Sequence, residues 1–226
     1  MALARYKDLC IDANDAPRMG RFWGEVLALQ VHERDDGVVR LSGPTPRHTV
    51  WINPVPEPRT VKQRVHIDVN AGAPDDVLAA GATVLDDTSF PWVVMADPEG
   101  GELCVFEREP PITHQLYEIV VDTADSPESA AAIATWWGAL LGAEVVHDER
   151  GFSYVHQIPD APFDSLDFGP VPEPKTVKNR IHLDLLTEDV SAVVAAGARI
   201  LRPLDEETGW TVLADPDGNE FCAFVD

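Results

Sequence analysis

Two short segments place the same reactive side chains at the same spacing: Arg64-Val-His66-Ile-Asp68 and Arg180-Ile-His182-Leu-Asp184. In an extended strand residues i, i+2 and i+4 share a face, so each segment presents arginine, histidine and aspartate together. The same alternation puts Glu102 beside Cys104 and Glu220 beside Cys222. A guanidinium in such a set can fork a carboxylate or phosphate, and a histidine or glutamate can move protons as a general acid or base. Arg64, Asp68, Arg180 and Asp184 are therefore candidate ligand-binding residues, and His66 and His182 candidate catalytic ones. Each also has a structural alternative. The histidines can be hydrogen-bonded framework groups, the cysteines small buried apolar residues, and the arginine–aspartate pairs braces within the fold.

The elements that must hold these residues occur twice. Pro54 to Asp68 recurs as Pro170 to Asp184 with 11 of 15 positions identical, and further anchors follow in order. They are Phe22-Trp23-Gly24 with Trp136-Trp137-Gly138, Ala79–Ala82 with Ala195–Ala198, and Asp97-Pro-Glu-Gly100 with Asp215-Pro-Asp-Gly218. Two copies with so long a period signal domain duplication rather than a solenoid. Proline at Pro110-Pro111 marks the boundary, giving segments 1–109 and 112–226. Within each copy a strand, a helix and three strands alternate twice. Asp15-Ala-Pro17 and Ser126-Pro127 supply the helix starts, and Phe22, Trp23, Val26 and Ile133, Trp136, Trp137, Leu140 the helical apolar spacing. The expected fold is α+β, built of four βαβββ units. The Asp-Pro-Glu/Asp-Gly segments read as turns, and His32 and His147 as surface residues.

Composition narrows the partners. In 226 residues, 17 Lys+Arg stand against 39 Asp+Glu, so the net charge is −22 and polyanions are repelled. Nucleic acid and membrane are thus excluded as expected partners, and a small molecule is left. Three scattered cysteines make no disulfide framework, and neither a signal peptide nor a long apolar run is evident, which points to a cytoplasmic protein.

These motifs, in this order and twice over, resemble the vicinal-oxygen-chelate superfamily, which includes glyoxalase I, bleomycin-resistance proteins, fosfomycin-resistance enzymes and extradiol dioxygenases. The marks are Phe22-Trp23-Gly and Trp136-Trp137-Gly on the first helices, His66-Ile-Asp and His182-Leu-Asp opening the second units, and the Cys104 and Cys222 segments closing them. The resemblance covers nearly the whole chain. It implies two glyoxalase-like domains whose curled mixed sheets form cups holding a metal or a small ligand.

Carried over by position, the resemblance implies ligand points at Asp8, Trp51, His66 and Cys104 in the first repeat, and at Glu118, Asp167, His182 and Cys222 in the second. Cysteine replaces the usual glutamate at both last points. Tryptophan cannot ligate through its indole N–H, so Trp51 becomes a ligand-contacting residue. Glu118, Asp167 and His182 remain as a set suited to one divalent ion, Zn, Ni, Mn or Fe, with Glu118 also a candidate catalytic residue. Asp8, His66, Cys104 and Cys222 are weaker ligands. The units can also pair across repeats, joining Asp8 and Trp51 to His182 and Cys222, and Glu118 and Asp167 to His66 and Cys104; both pairings stay open. The first functional reading is a cup that binds a small metabolite or drug without a metal. The alternatives are a metal-dependent lyase, isomerase or dioxygenase, and a metal-free enzyme with a histidine base. Duplication is compatible with a monomer or a homodimer.

Overall fold

Alternation along β1 (Arg5–Ala13) sorts its side chains into two environments: Leu9, Ile11 and Ala13 join the hydrophobic core, while Asp8, Cys10 and Asp12 lie on the other face. The other central strands do the same, which makes each sheet apolar on one side and polar on the other. The computed structural model describes residues 2–226.

After β1 come α1 (Ala16–Val26), β2 (Gln30–Glu33), β3 (Val39–Ser42) and β4 (Val50–Pro54). The second unit is β5 (Val65–Ala71), α2 (Pro74–Ala80), β6 (Thr83–Asp86), β7 (Val93–Ala96) and β8 (Glu102–Glu107). The second repeat follows with β9 (Leu116–Thr123), α3 (Pro127–Leu141), β10 (Glu144–His147), β11 (Ser153–His156) and β12 (Ser165–Pro170). It ends with β13 (Ile181–Thr187), α4 (Val190–Ala195), β14 (Arg199–Arg202), β15 (Thr211–Ala214) and β16 (Glu220–Val225). The four βαβββ units are present as expected.

Local chemistry sets the helices. The Asp15 carboxylate accepts the Arg18 backbone N–H at 3.0 Å to start α1, and the Ser126 hydroxyl accepts that of Ser129 at 3.1 Å to start α3. The glycine of each aromatic-aromatic-glycine motif is a packing requirement. A Cβ at Gly24 would stand 2.4 Å from Val31 Cγ2, and one at Gly138 would stand 2.2 Å from Val145 Cγ2. Each helix therefore lies directly on the strand that follows it.

Two eight-stranded mixed sheets result. The first runs β14-β15-β16-β13-β1-β4-β3-β2, and the second β10-β11-β12-β9-β5-β8-β7-β6. Each takes one unit from each repeat, so segments 1–109 and 112–226 are units of sequence, and each cup is assembled from halves of both. The seams are the antiparallel pairs β1–β13 and β5–β9. The apolar sides of the sheets meet: Leu9, Ile181 and Leu183 of the first line the same small interior gap as Val65, Ile119, Val121 and Leu166 of the second.

Arg180 and Arg64 tie the repeats together. Arg180 donates to the Asp12 carbonyl at 3.1 Å and the Glu57 carbonyl at 2.8 Å, and pairs with the Glu99 carboxylate at 3.2 Å. Arg64 donates to the carbonyls of Asp122 at 2.8 Å and Thr123 at 3.0 Å, and also to that of Glu173. Most of their donors are engaged across the repeats, Arg180 on two carbonyls, Asn14 and Glu99, and Arg64 on three carbonyls, which are the contacts of braces. The reason is position, because each stands just before its strand, where the chains of the two repeats cross.

Candidate functional site

The polar face of the first sheet is concave and encloses a cavity of about 740 Å³. Its floor comes from three adjacent strands. Cys10 on β1 stands opposite His182 on β13, and Asp184, two residues along β13, stands beside Cys222 on β16. Trp51 on β4, Val212 on β15 and Phe224 on β16 wall it, with Trp210 and Leu201 from the far edge. The rings of Trp210 and Phe224 lie 5.3 Å apart, and the Lys7 ammonium sits 4.4 Å from the Phe224 ring centre.

A bulge in β1 shapes one side of this cup. The register with β13 slips between Tyr6 and Asp8, so Tyr6 turns into the core and Lys7 and Asp8 both reach the cup. Lys7 pairs with the Asp8 carboxylate, and the Trp51 indole nitrogen donates to it at 3.1 Å. At the rim Lys178 pairs with Asp12 and Arg34 with Asp36.

The floor buries a carboxylate among thiols and an imidazole. Asp184 is only 5% exposed, with both neighbouring thiols as hydrogen-bond partners of its carboxyl. His182 Nε2 lies 3.7 Å from its Oδ1. Burial pushes the Asp184 carboxyl up. Burial and then the Asp184 charge raise the thiols of Cys10 and Cys222.

The second cup is built alike but furnished differently. His66, Asp68 and Asn70 on β5, Glu102, Cys104 and Phe106 on β8, Glu118 and Asp122 on β9, and Ser165 and Asp167 on β12 alternate onto its polar face. A bulge in β9 puts Tyr117 next to Glu118, in the place that Lys7 holds beside Asp8. A row of rings crosses this face: Trp92 stacks on Phe106 at 5.2 Å, and Phe106 meets Tyr117 edge-on at 5.1 Å. The Arg108 guanidinium stands 5.2 and 5.0 Å from the ring centres of Phe106 and Tyr117. Acids crowd beneath. Burial and then the Glu118 charge raise Asp167 to about 7, and burial raises Asp68 and Glu118 as well. Burial lowers His66 to about 4.

The expected metal set of Glu118, Asp167 and His182 does not assemble, because the first two belong to the second sheet and His182 to the first. The cross-repeat pairing left open by the sequence is the one that forms. Asp8 and Trp51 share a cup with His182 and Cys222, and Glu118 and Asp167 share one with His66 and Cys104. The implied ligand points of the first cup nonetheless fit a metal poorly: Asp8 is held by Lys7 and Trp51, and an indole nitrogen only donates. Among the described residues, the donor atoms that converge within 4.8 Å of one another are Cys10, His182 and Asp184, and in the second cup His66, Asp68 and Cys104. Sequence reasoning missed Cys10, Lys7 and Trp210. The Asp8-Leu-Cys10-Ile-Asp12 alternation carried the signal for Cys10, but only the β1–β13 register makes it a neighbour of His182.

Comparison with known proteins agrees with this architecture. A family profile described as "Glyoxalase-like domain" matches residues 8–106 and again 118–224. Glyoxalase I from Zea mays superposes with a TM-score of 0.72 at 14% identity, over 97% of this chain and 92% of that one. A putative dioxygenase from Bacillus subtilis subsp. subtilis str. 168 superposes with a TM-score of 0.64 at 14% identity, over 100% and 86%. At these identities the likeness is one of fold. No curated protein sequence matches the chain. No helix among the described residues is long and apolar enough to cross a membrane.

Proposed function

The chain belongs to the glyoxalase-like domain family, and from that premise we propose that its first cup binds a small organic molecule, with Trp51, His182 and Asp184 among the residues that touch it. The observation that carries this reading is the 740 Å³ cavity with an aromatic wall and a polar floor. Pockets for small molecules are typically about 300–1,000 Å³, mostly apolar, with a few convergent polar groups. The rim cations are already matched, Lys7 with Asp8, Arg34 with Asp36 and Lys178 with Asp12. The floor itself is polar, with Asp184 set between the thiols of Cys10 and Cys222. The ligand class is therefore a flat organic molecule that packs on Trp51, Trp210 and Phe224 and turns a polar edge to the floor. Both halves of the cup come from one chain, so binding needs no second copy.

A panel of small oxygenated aromatics tested by thermal shift and tryptophan fluorescence checks this. A compound that stabilises the protein but not a Val212→Trp variant, whose new ring fills the cavity, supports it. A panel without a binder, or one that stabilises both proteins alike, sinks it.

Turnover by a lyase, isomerase or dioxygenase route is a second reading, favoured by His182, whose imidazole lines the cavity beside Asp184. His66 and Glu118, the other candidate catalytic residues, face the second cup. For a bound compound that is converted, His182→Ala should retain binding and abolish conversion; conversion by the variant at the parent rate removes His182 from the reaction.

A further inference from the structure

We propose that the cleft where the two repeats cross, beside the first cup and walled off from it, holds a short-chain organic carboxylate anchored by Arg59. The duplicated segments build this cleft. Residues 55–64 of the first repeat and 177–180 of the second enclose a cavity of about 280 Å³. That is room for a molecule of a few heavy atoms, just below the range of about 300–1,000 Å³ typical of small-molecule pockets. The Lys178–Asp12 pair stands between this space and the first cup and lines both.

The charge of the cleft runs against that of the molecule. The chain carries −22, yet five of its 17 Lys+Arg line this one space: Arg59, Lys62, Arg64, Lys178 and Arg180, against two acids, Asp12 and Glu57. A cationic concavity in an anionic protein concentrates small anions locally. Three of the five cations are matched, Lys62 with Asp122, Lys178 with Asp12 and Arg180 with Glu99. Arg64 meets three carbonyls, as a brace does. Arg59 donates to the carbonyls of Val61, at 3.0 Å, and Gly100. Two of its five N–H groups are thus used and three are left for a ligand. Asp97, whose carboxylate feels the Arg59 charge, is committed to the backbone N–H groups of Glu99 and Gly101.

Duplication supplies an internal comparison. Lys175 holds the place of Arg59 in the second copy, and its ammonium pairs with Glu220 at 2.8 Å. Glu102, the counterpart of Glu220, accepts the Gln63 backbone N–H at 3.2 Å as Glu220 accepts that of Asn179 at 3.1 Å. Among the described residues no cation pairs with Glu102, and Arg59 lines the cleft. The framework role that an ion pair fills in the second copy is therefore absent from the first, where the guanidinium stands free of any carboxylate.

The rest of the wall is apolar. Val55, Pro58, Val61 and Val177 supply it, with Val61 40% and Val177 43% exposed. Such a wall favours an anion with a hydrocarbon body over a bare inorganic one, and a planar guanidinium forks a carboxylate.

Sodium butyrate titrated into isotope-labelled protein and followed by NMR tests this, with sodium chloride at matched ionic strength, n-butanol and inorganic phosphate as comparisons. The result expected is a saturable shift of the backbone amides of residues 59–64 and 177–180 by butyrate alone. Arg59→Gln should weaken it about tenfold or more, the loss of a charge-assisted bond. Val177→Glu should do the same at an exposed position, where the new carboxylate repels the ligand and the core is undisturbed. Arg21→Gln, an equal charge change on an exposed helix, and Val212→Trp, which fills the first cup, should leave the response intact. Absence of a saturable shift in the folded parent protein overturns the proposal, as does an equal response to n-butanol or to phosphate. So does a response that survives Val177→Glu or disappears in Val212→Trp. Because Val212→Trp separates the two cavities, failure of the cleft and failure of the first-cup reading are distinct results.

Discussion

The Trp51 indole nitrogen donates to the Asp8 carboxylate at 3.1 Å, and the bulge that brings Lys7 beside Asp8 gives the same carboxylate a cation. A group that by position would ligate a metal is thereby made part of the wall. Trp51→Phe keeps the ring and removes only the donor. Asp8 is buried, so losing this bond to a charged group should lower stability by about 1–3 kcal/mol. Urea unfolding checks it: the midpoint should fall while the slope stays constant. An unchanged midpoint would mean that Lys7 alone satisfies Asp8.

The acids of the second cup set a pH dependence. Burial and Glu118 hold Asp167 at about 7 in the folded protein, well above the ordinary carboxylate value near 4. A raised folded pKa means that the native state holds the proton more tightly than the unfolded chain. Its stabilising contribution is complete below the unfolded pKa and is lost as pH rises through about 7. His66, lowered to about 4, works in the opposite sense, losing its contribution as pH falls below the ordinary histidine value. Asp68 and Glu118 are raised alongside Asp167, so the acids prevail. The melting temperature should rise from pH 8 to about pH 5.5, and Asp167→Asn should flatten that slope. A parent slope that is flat or of the opposite sign would refute the prediction.

The glycine of the second aromatic motif should tolerate nothing larger. In Gly138→Ala the new methyl would meet Val145 at 2.2 Å, an overpacking expected to cost about 1–3 kcal/mol. Combining it with Val145→Ala should recover part of the loss. Strict additivity of the two substitutions in a double-mutant cycle would show that this contact is not the cause.

Arg180 should prove structural. Its guanidinium joins Asp12, Glu57 and Glu99 across the two repeats and is nearly buried. Arg180→Ala leaves several oxygens unpaired and should cost about 2–4 kcal/mol. Arg180→Lys should recover little, since an ammonium lacks the planar fork. A ligand of the first cup should bind both variants with its original affinity at a temperature where they remain folded; a large loss of affinity would return Arg180 to the site.

Much of this was legible in the residues. The duplicated motif from Pro54 to Asp68, the capped helices after Asp15 and Ser126, and the period-two runs around His66 and His182 identify four βαβββ units and the side chains on each polar face. These are local matters, governed by backbone geometry over a few residues. The bulges were not legible. Alternation alone would send Lys7 into the core, and it reaches the cup only because the β1 register slips between Tyr6 and Asp8.

Pairing, too, lay beyond the sequence, and for a physical reason. The repeats are so alike that a half-cup from either can complete the other, and strand patterning is the same in both arrangements. Tertiary structure decided for β1 with β13 and β5 with β9, and with that it separated Glu118 and Asp167 from His182. It also brought Cys10 opposite His182, a contact between residues 172 positions apart in the chain. The residue types on each face were determined by the sequence alone; which faces share a cavity depends on contacts between distant strands.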